Sequence, residues 1–190
     1  MSEWPFGDLR MFGYGLILLD PAWAFRNWSA KGEAKNPSAH YDVMSLDQLK
    51  ALPVGHLAAP DCACVMWGIA PMLDVAIDLL RHYGFTFKTM GGWAKQSSTG
   101  RKWQFGPGYI FRSALEPYIV GTIGSPPVLV HDVRNLIVAP VREHSRKPDE
   151  MHANLERLYP GPRVELFARQ RRAGWDSWGN EADKFPAVTA

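Results

Sequence analysis

A run of apolar residues, Tyr14 to Leu19 (YGLILL), ends abruptly on Asp20-Pro21-Ala22-Trp23. A carboxylate at the end of a buried strand is an acceptor that the strand itself does not use. Proline adds a carbonyl but no competing N–H, and Trp23 brings a flat face to the same corner. Two acceptors beside a stacking surface suit a planar group that bears an amine, such as a nucleobase with an exocyclic amino group. An ordinary Asp-Pro turn after a strand fits the same four residues, and on these residues alone both readings stand.

Charge location extends the first reading. From Lys88 to Leu115 the chain carries Lys88, Lys95, Arg101, Lys102 and Arg112 and no Asp or Glu, with Trp93, Trp103, Phe105, Tyr109 and Phe111 interleaved. Cations and aromatics on a glycine-bearing loop suit an unstacked nucleic-acid strand, although a solvated loop anchored by its aromatics also fits. Arg142-Glu143-His144-Ser145-Arg146-Lys147-Pro148 is a basic approach to a helix, where free backbone N–H groups could hold an anion or carboxylate. Arg169, Arg171 and Arg172 form a second basic cluster after a strand. Either could be plain surface.

Other chemistries lack their residues. There is no G-x-G-x-x-G after a strand, no G-x-x-x-x-G-K-[ST], no H-E-x-x-H and no G-x-S-x-G, so nicotinamide, P-loop, zinc-protease and serine-hydrolase readings have little support. The six histidines are scattered without metal-ligand spacing, and Cys62 and Cys64 read as small buried thiols, so no metal is expected. The net charge of +2 over 190 residues does not by itself call for a nucleic-acid partner. No apolar run reaches the roughly 18–20 residues of a membrane span. Met1 to Leu9 contains Glu3 and Asp8 and has no basic start, unlike a secretory signal. The expectation is a cytoplasmic chain with no membrane partner.

The elements that must position these residues follow from periodicity. Tyr14–Leu19 and Cys62–Trp67 read as buried strands, with weaker strands over 85–93, 116–123, 135–139 and 164–167. Ser45 caps a short helix with Leu46, Leu49 and Leu52 on one face. Residues 71–83 form an amphipathic helix stopped by Gly84, and 148–158 form another with Asp149 and Glu150 in its first turn. Residues 95–108 and 168–190 read as loop. Strands alternating with helices predict an α/β sheet covered on both faces, in one domain over 1–190. Ligands in such sheets sit beyond the carboxyl ends of the strands, which points to Asp20, to 68–71, to Lys95 and to 168–172.

Asp20-Pro21-Ala22-Trp23 resembles the D-P-P-W motif of amino-group methyltransferases that use S-adenosylmethionine. The run His144 to Glu181 (HSRKPDEMHANLERLYPGPRVELFARQRRAGWDSWGNE) is similar to the carboxyl-terminal half of the adenine-N6 methyltransferase family named for the 70-kDa subunit of the mRNA adenosine methyltransferase. So are His40 to Ser45 (HYDVMS) and Met66-Trp67 followed by a helix and Gly84-Phe85. The resemblance covers about residues 14–181 in motif order, and the chain is identified as a bacterial or phage-type DNA member. It implies a Rossmann-like fold with permuted, beta-class motif order, catalytic motif first and much of the cofactor site last.

By that resemblance Asp20, Pro21, Ala22 and Trp23 are the catalytic turn, with Asp20 and the Pro21 carbonyl on the target N6 amine. Asp20 and Lys147 would meet the methionine part of S-adenosylmethionine. Asp8, Glu165, Leu166, Phe167, Arg169, Asn180 and Glu181 would line its ribose and adenine side. Loops about 24–44 and 94–112 would face the substrate, through Phe25, Tyr41, Lys95, Arg101, Lys102, Tyr109 and Arg112, with His144 and Arg146 beside them. The implied reaction is site-specific N6-methylation of adenine, without a metal, on DNA rather than RNA. A homodimer would extend the substrate surface. RNA methylation and a catalytically silent nucleic-acid-binding member are the alternatives. The chain departs from the family pattern at Ala22, where the motif has a second proline. It departs again at Gln170-Arg171-Arg172, where the eukaryotic enzymes have Pro-His-Asn, and at Glu181, where their catalytic subunit has Gln.

Overall fold

A computed structural model of the chain describes residues 4–23, 43–106, 110–143 and 146–189. Most of the 24–44 loop, with Phe25 and Tyr41, lies outside the described residues, as do Tyr109 and His144.

Nine strands and three α-helices are described: β1 (Tyr14–Leu19), α1 (Leu46–Ala51), β2 (Ala58–Trp67), α2 (Leu73–His82), β3 (Thr86–Gln96), β4 (Leu115–Ile123), β5 (Leu136–Pro140), α3 (Asp149–Leu158), β6 (Arg163–Leu166), β7 (Gln170–Arg172), β8 (Asp176–Trp178) and β9 (Phe185–Val188). Seven strands form one sheet in the order β5-β3-β4-β2-β1-β6-β8, and β7 pairs with β9 apart from it. β1 is parallel to β2 and β6, β6 to β8, and β3 to β5, whereas β4 is antiparallel to both β2 and β3. This is the α/β sheet expected from the sequence, Rossmann-like in its parallel strands about β1.

Apolar residues on both sides of β1 are what a central parallel strand needs. Tyr14, Ile17 and Leu19 enter one core layer, with Leu49 of α1 and Ala76, Leu79 and Leu80 of α2. Leu16 and Leu18 enter the other, with Met151 and Leu155 of α3. The capping box at α1 is complete, because the Ser45 hydroxyl accepts from Gln48 N–H while Gln48 returns a bond to Ser45 N–H. The helix expected over 71–83 is divided: Pro71 sits in a one-turn 3-10 helix at Ala70–Met72, and α2 follows from Leu73.

Two segments differ from the periodicity reading. β3 runs on to Gln96, so Lys95 belongs to a strand; both neighbours continue beside it, with Ala94 opposite Leu115 and Lys95 opposite Ala139. Residues 168–190, expected as loop, contain β7, β8 and β9, each three or four residues long. Strands that short show no alternation to read. β8 extends the main sheet next to β6 and so brings the 179–181 turn to the carboxyl edge.

That turn depends on Gly179. A Cβ there would lie 2.9 Å from Ala168 N and 3.0 Å from Ala168 O, at a backbone φ of +155°. The two backbones also share a bond, Ala168 N–H to the Trp178 carbonyl at 3.0 Å. Gly179→Ala is therefore expected to lower stability by about 1–3 kcal/mol. Urea denaturation checks this, and a variant as stable as the parent would refute the close approach.

Candidate active site

Every strand of the large sheet except β4 ends its carboxyl terminus on one edge, and antiparallel β4 begins there. Asp20 follows β1, Trp67 ends β2, Lys95 lies near the end of β3 and Glu116 near the start of β4. Lys147, just ahead of α3, reaches into this group. Its Nζ lies 2.9 Å from each Asp20 carboxylate oxygen and 3.0 Å from Glu116 Oε1. Lys95 Nζ then meets Glu116 Oε2 at 2.6 Å. The result is a chain of alternating charge, Asp20–Lys147–Glu116–Lys95. Trp67 lies under Lys147 at 5.4 Å and Trp93 under Lys95 at 4.9 Å, where ring faces favour cations.

The network sets the ionisation of its members. Burial raises the Asp20 carboxyl above its ordinary value, and Lys147 offsets this only in part while Glu116 adds to it. Burial pushes Glu116 the same way, but Lys147 and Lys95 together outweigh it and hold its carboxyl at about 2. For Lys147 burial works against the charge, and the two carboxylates overcome it, so the ammonium is held charged beyond its usual range. Asp20 is thus the member of the network that takes up a proton first as pH falls.

The turn after β1 is held by its own backbone. Trp23 N–H donates to the Pro21 carbonyl at 2.8 Å, and Met44 N–H to the Ala22 carbonyl at 2.9 Å. Each carbonyl has two lone pairs, so the Pro21 oxygen retains one for a ligand. Trp23 corrects one expectation. It presents no open stacking face, being 6% exposed, and its indole N–H donates to the Trp67 carbonyl at 3.2 Å. It shapes the floor beneath the turn.

A shallow, open cleft adjoins the network, lined by Asp20, Lys147, His152, Glu165, Phe167 and Arg169 among others. Glu165 and Leu166 are successive strand residues and point to opposite faces. Glu165 faces α3 and the cleft, whereas the Leu166 side chain is in the core and only its carbonyl serves the site, accepting from Asp20 N–H at 3.3 Å. Leu166 is therefore not a side-chain contact. Phe167 takes a left-handed φ of 62° that turns the chain out of β6 into the cleft wall. Arg169 approaches Glu181 at 3.6 Å, which joins the turn after β6 to the turn after β8 that carries Asn180.

Asp8 is exposed on a turn seated against the end of β8, where Trp178 Nε1–H donates to the Pro5 carbonyl at 3.1 Å. It is not among the residues lining the cleft. Arg146 does line it, with its guanidinium 4.7 Å from the Phe185 ring centre and bonded to Glu143 and Gln170. The supposed basic cluster after β6 is not a bare one. Arg169 pairs with Glu181, Arg171 with Asp183 and Arg172 with Asp149. Arg101, Lys102 and Arg112 are exposed on the segment joining β3 to β4, with Trp103, Phe105 and Phe111 at 61%, 59% and 86% exposure and Arg112 over Phe105. Glu116 is the residue sequence reasoning missed. It stands one position beyond the acid-free stretch, and the charged start of an otherwise apolar strand was its one visible mark. No cluster of metal-binding side chains occurs among the described residues, and no described helix is long and apolar enough to cross a membrane.

The profile of the MT-A70 family matches residues 14–181. The chain is similar to an Arabidopsis thaliana protein named N(6)-adenosine-methyltransferase MT-A70-like, 31% identical over 95% of this chain and 26% of that protein. It is similar to the type II methyltransferase M.MunI of a Mycoplasma species, 31% identical over 93% of this chain and 81% of M.MunI. It is also 27% identical to the human N(6)-adenine-specific methyltransferase METTL4, over 92% of this chain and 39% of that protein. The chain thus spans about a quarter of the length of the plant relative.

The shared ammonium makes the network testable. Lys147→Met would leave two buried carboxylates with one fewer partner and is expected to cost about 3–5 kcal/mol in urea denaturation. Glu116 has a folded value of about 2 against an ordinary 4.5. It therefore contributes stability that is complete above pH 4.5 and lost as pH falls toward 2, while the raised Asp20 acts in the opposite sense. Stability of Glu116→Gln is expected to fall less steeply than the parent's across that window. Parallel pH profiles would show Glu116 to be uncoupled from the lysines.

Proposed function

The chain belongs to the MT-A70 family of S-adenosylmethionine-dependent methyltransferases, and we propose that it methylates the N6 amine of adenine in DNA. The observation that carries this reading is the Asp20 carboxyl group fixed at the carboxyl end of β1, with Lys147 on both of its oxygens. The preference for DNA follows the relative most fully matched in length among those named, M.MunI, at 81% of its length. RNA methylation is the second reading and follows the adenosine methyltransferases.

The side chains of the cleft fit S-adenosylmethionine. The molecule carries an ammonium, a carboxylate and ribose hydroxyls. The cleft offers Asp20 to the first, Arg146 to the second with the fixed positive charge of Lys147 nearby, and Glu165 to the third. When bound, the cofactor supplies an electrophilic methyl on a sulfonium.

The rest falls to the chain's own residues. Adenine N6 is a weak nucleophile because its lone pair is delocalised into the ring. A carboxylate has about four lone-pair sites, so Asp20 can bind Lys147 and still accept an N6–H bond. The free lone pair of the Pro21 carbonyl accepts the other N–H. Two acceptors favour a tetrahedral nitrogen and fix the direction of its lone pair. Catalysis is then positioning and electrostatics, and the proton leaving the methylated amine goes to water or to Asp20. In a duplex the base must first leave the stack. Arg101, Lys102 and Arg112, with Trp103, Phe105 and Phe111, would hold the strand beside it. A second copy of the chain would extend this surface.

The deciding assay offers labelled S-adenosylmethionine with double-stranded DNA, single-stranded DNA and RNA, and identifies the modified nucleoside by mass. N6-methyladenine in DNA, reduced about 100-fold or more by Asp20→Asn, is the expected result. Product in RNA alone establishes the second reading. Cofactor binding without product on any polymer defeats both. Reversing Arg101 and Lys102 to Glu should weaken nucleic-acid binding on all sequences and shallow its salt dependence by about two phosphate contacts. Unchanged binding would remove this segment from the interface.

A further inference from the structure

The adenine chemistry has no use for one buried pair in the cleft. Glu165 lies opposite Leu18 in the β1–β6 ladder, on the α3 side of the sheet, and its side chain is 14% exposed. A carboxylate so far removed from water needs donors. His152 of α3 supplies one, its Nε2 standing 3.0 Å from Glu165 Oε2. An ionised carboxylate only accepts, so the hydrogen-bond network assigns the proton to Nε2. The other ring nitrogen, Nδ1, is buried and has no partner among the described residues. Only the nitrogen facing Glu165 is used.

The imidazole is itself held in place. It packs edge-on against Trp175 at 5.0 Å, and the Trp175 indole N–H donates to Glu156 Oε1 at 2.7 Å, one turn further along α3. The ring sits between its own helix and a pinned indole. Lys147 lies just ahead of the same helix. The His152–Glu165 bond therefore ties β6 to the helix that delivers the lysine of Asp20, and both pairs open on one cleft.

We propose that His152 is a positioning residue that holds Glu165 in the cleft as a fixed acceptor for the ribose hydroxyls of the cofactor. This rests on the methyltransferase reading above. The nitrogen of His152 that is used, Nε2, is turned to the Glu165 carboxylate. It acts through Glu165.

A double-mutant cycle in the whole chain tests it, with cofactor Kd from calorimetry and KM and kcat from methyl transfer. His152→Phe keeps the packing on Trp175 and removes the donor, His152→Gln keeps an N–H donor, and Glu165→Gln removes the charge. His152→Phe is expected to raise cofactor Kd and KM about tenfold, the scale of one charge-assisted hydrogen bond, with kcat and nucleic-acid KM within about twofold. His152→Gln should recover most of the loss, and His152→Phe should add nothing to Glu165→Gln. Equal melting temperatures exclude a general loss of structure. Should the Phe variant melt early, the rescue by His152→Gln and the Glu165→Gln background are read instead with His152→Asn, whose shorter amide falls short of Oε2. Additive effects, or an unchanged Kd in His152→Phe while Glu165→Gln weakens binding, overturn the role of His152 and leave the cofactor site standing. No cofactor effect from Glu165→Gln overturns the placement of Glu165 and the proposal with it.

Discussion

One ammonium group, Lys147, withdrawn from water between two carboxylates, is the constraint around which the functional edge is arranged. Its side chain is 14% exposed, and those of Asp20 and Glu116 are 14% and 18%. Taking each such charge out of water costs several kcal/mol, and a well-packed apolar replacement is often as stable. The network is therefore poor evidence for stability as its purpose. What it provides is a fixed carboxylate. Asp20 alone would be raised by burial toward its neutral form, which can accept fewer hydrogen bonds. Lys147 opposes that, and Lys95 balances the second carboxylate so that the chain of four charges is neutral overall.

The sheet topology brings these side chains together. Asp20 and Lys95 arrive from the carboxyl ends of parallel strands. Glu116 arrives from the beginning of a strand, which is possible because β4 runs against its neighbours β2 and β3. Had β4 been parallel, its first residues would lie at the opposite edge. The same reversal makes the segment after β3 a hairpin-like excursion from the active edge. Its roots, Lys95 and Glu116, belong to the ion network, and the exposed cations and aromatics it carries rise from the carboxyl edge of the sheet.

Legibility in the sequence follows how local the cause is. β1 was readable from its continuous apolar run and its stop at Asp20-Pro21, but the chemistry of that turn was open on those residues alone and came from the resemblance. α3 and Lys147 were readable from the helix start at Pro148 and from the resemblance that covers the carboxyl-terminal half. Glu116 was not, since its role depends on the direction of β4, and strand direction leaves no mark in a nine-residue pattern. The arginines after β6 looked like a basic patch for the same reason. Their acids, Asp149, Glu181 and Asp183, are distant in sequence or lie beyond a turn. Trp23 looked like a stacking platform, yet it is buried and its indole N–H is bonded to the Trp67 carbonyl, 44 residues away.

Ala22 is where the chain departs most visibly from the motif it resembles, and the geometry bears on what that departure means. A second proline would stiffen the turn by fixing φ. Here the turn is fixed by hydrogen bonds from both sides, Trp23 N–H to the Pro21 carbonyl and Met44 N–H to the Ala22 carbonyl, and by the indole of Trp23 bonded beneath it. Alanine keeps the small volume at the site, and its carbonyl is already engaged with Met44. The groups that would meet the amine, the Asp20 carboxylate and one lone pair of the Pro21 carbonyl, do not depend on the residue at position 22. With alanine at position 22, Asp20 still holds Lys147 on both oxygens and the Pro21 carbonyl keeps a lone pair beyond its bond to Trp23 N–H.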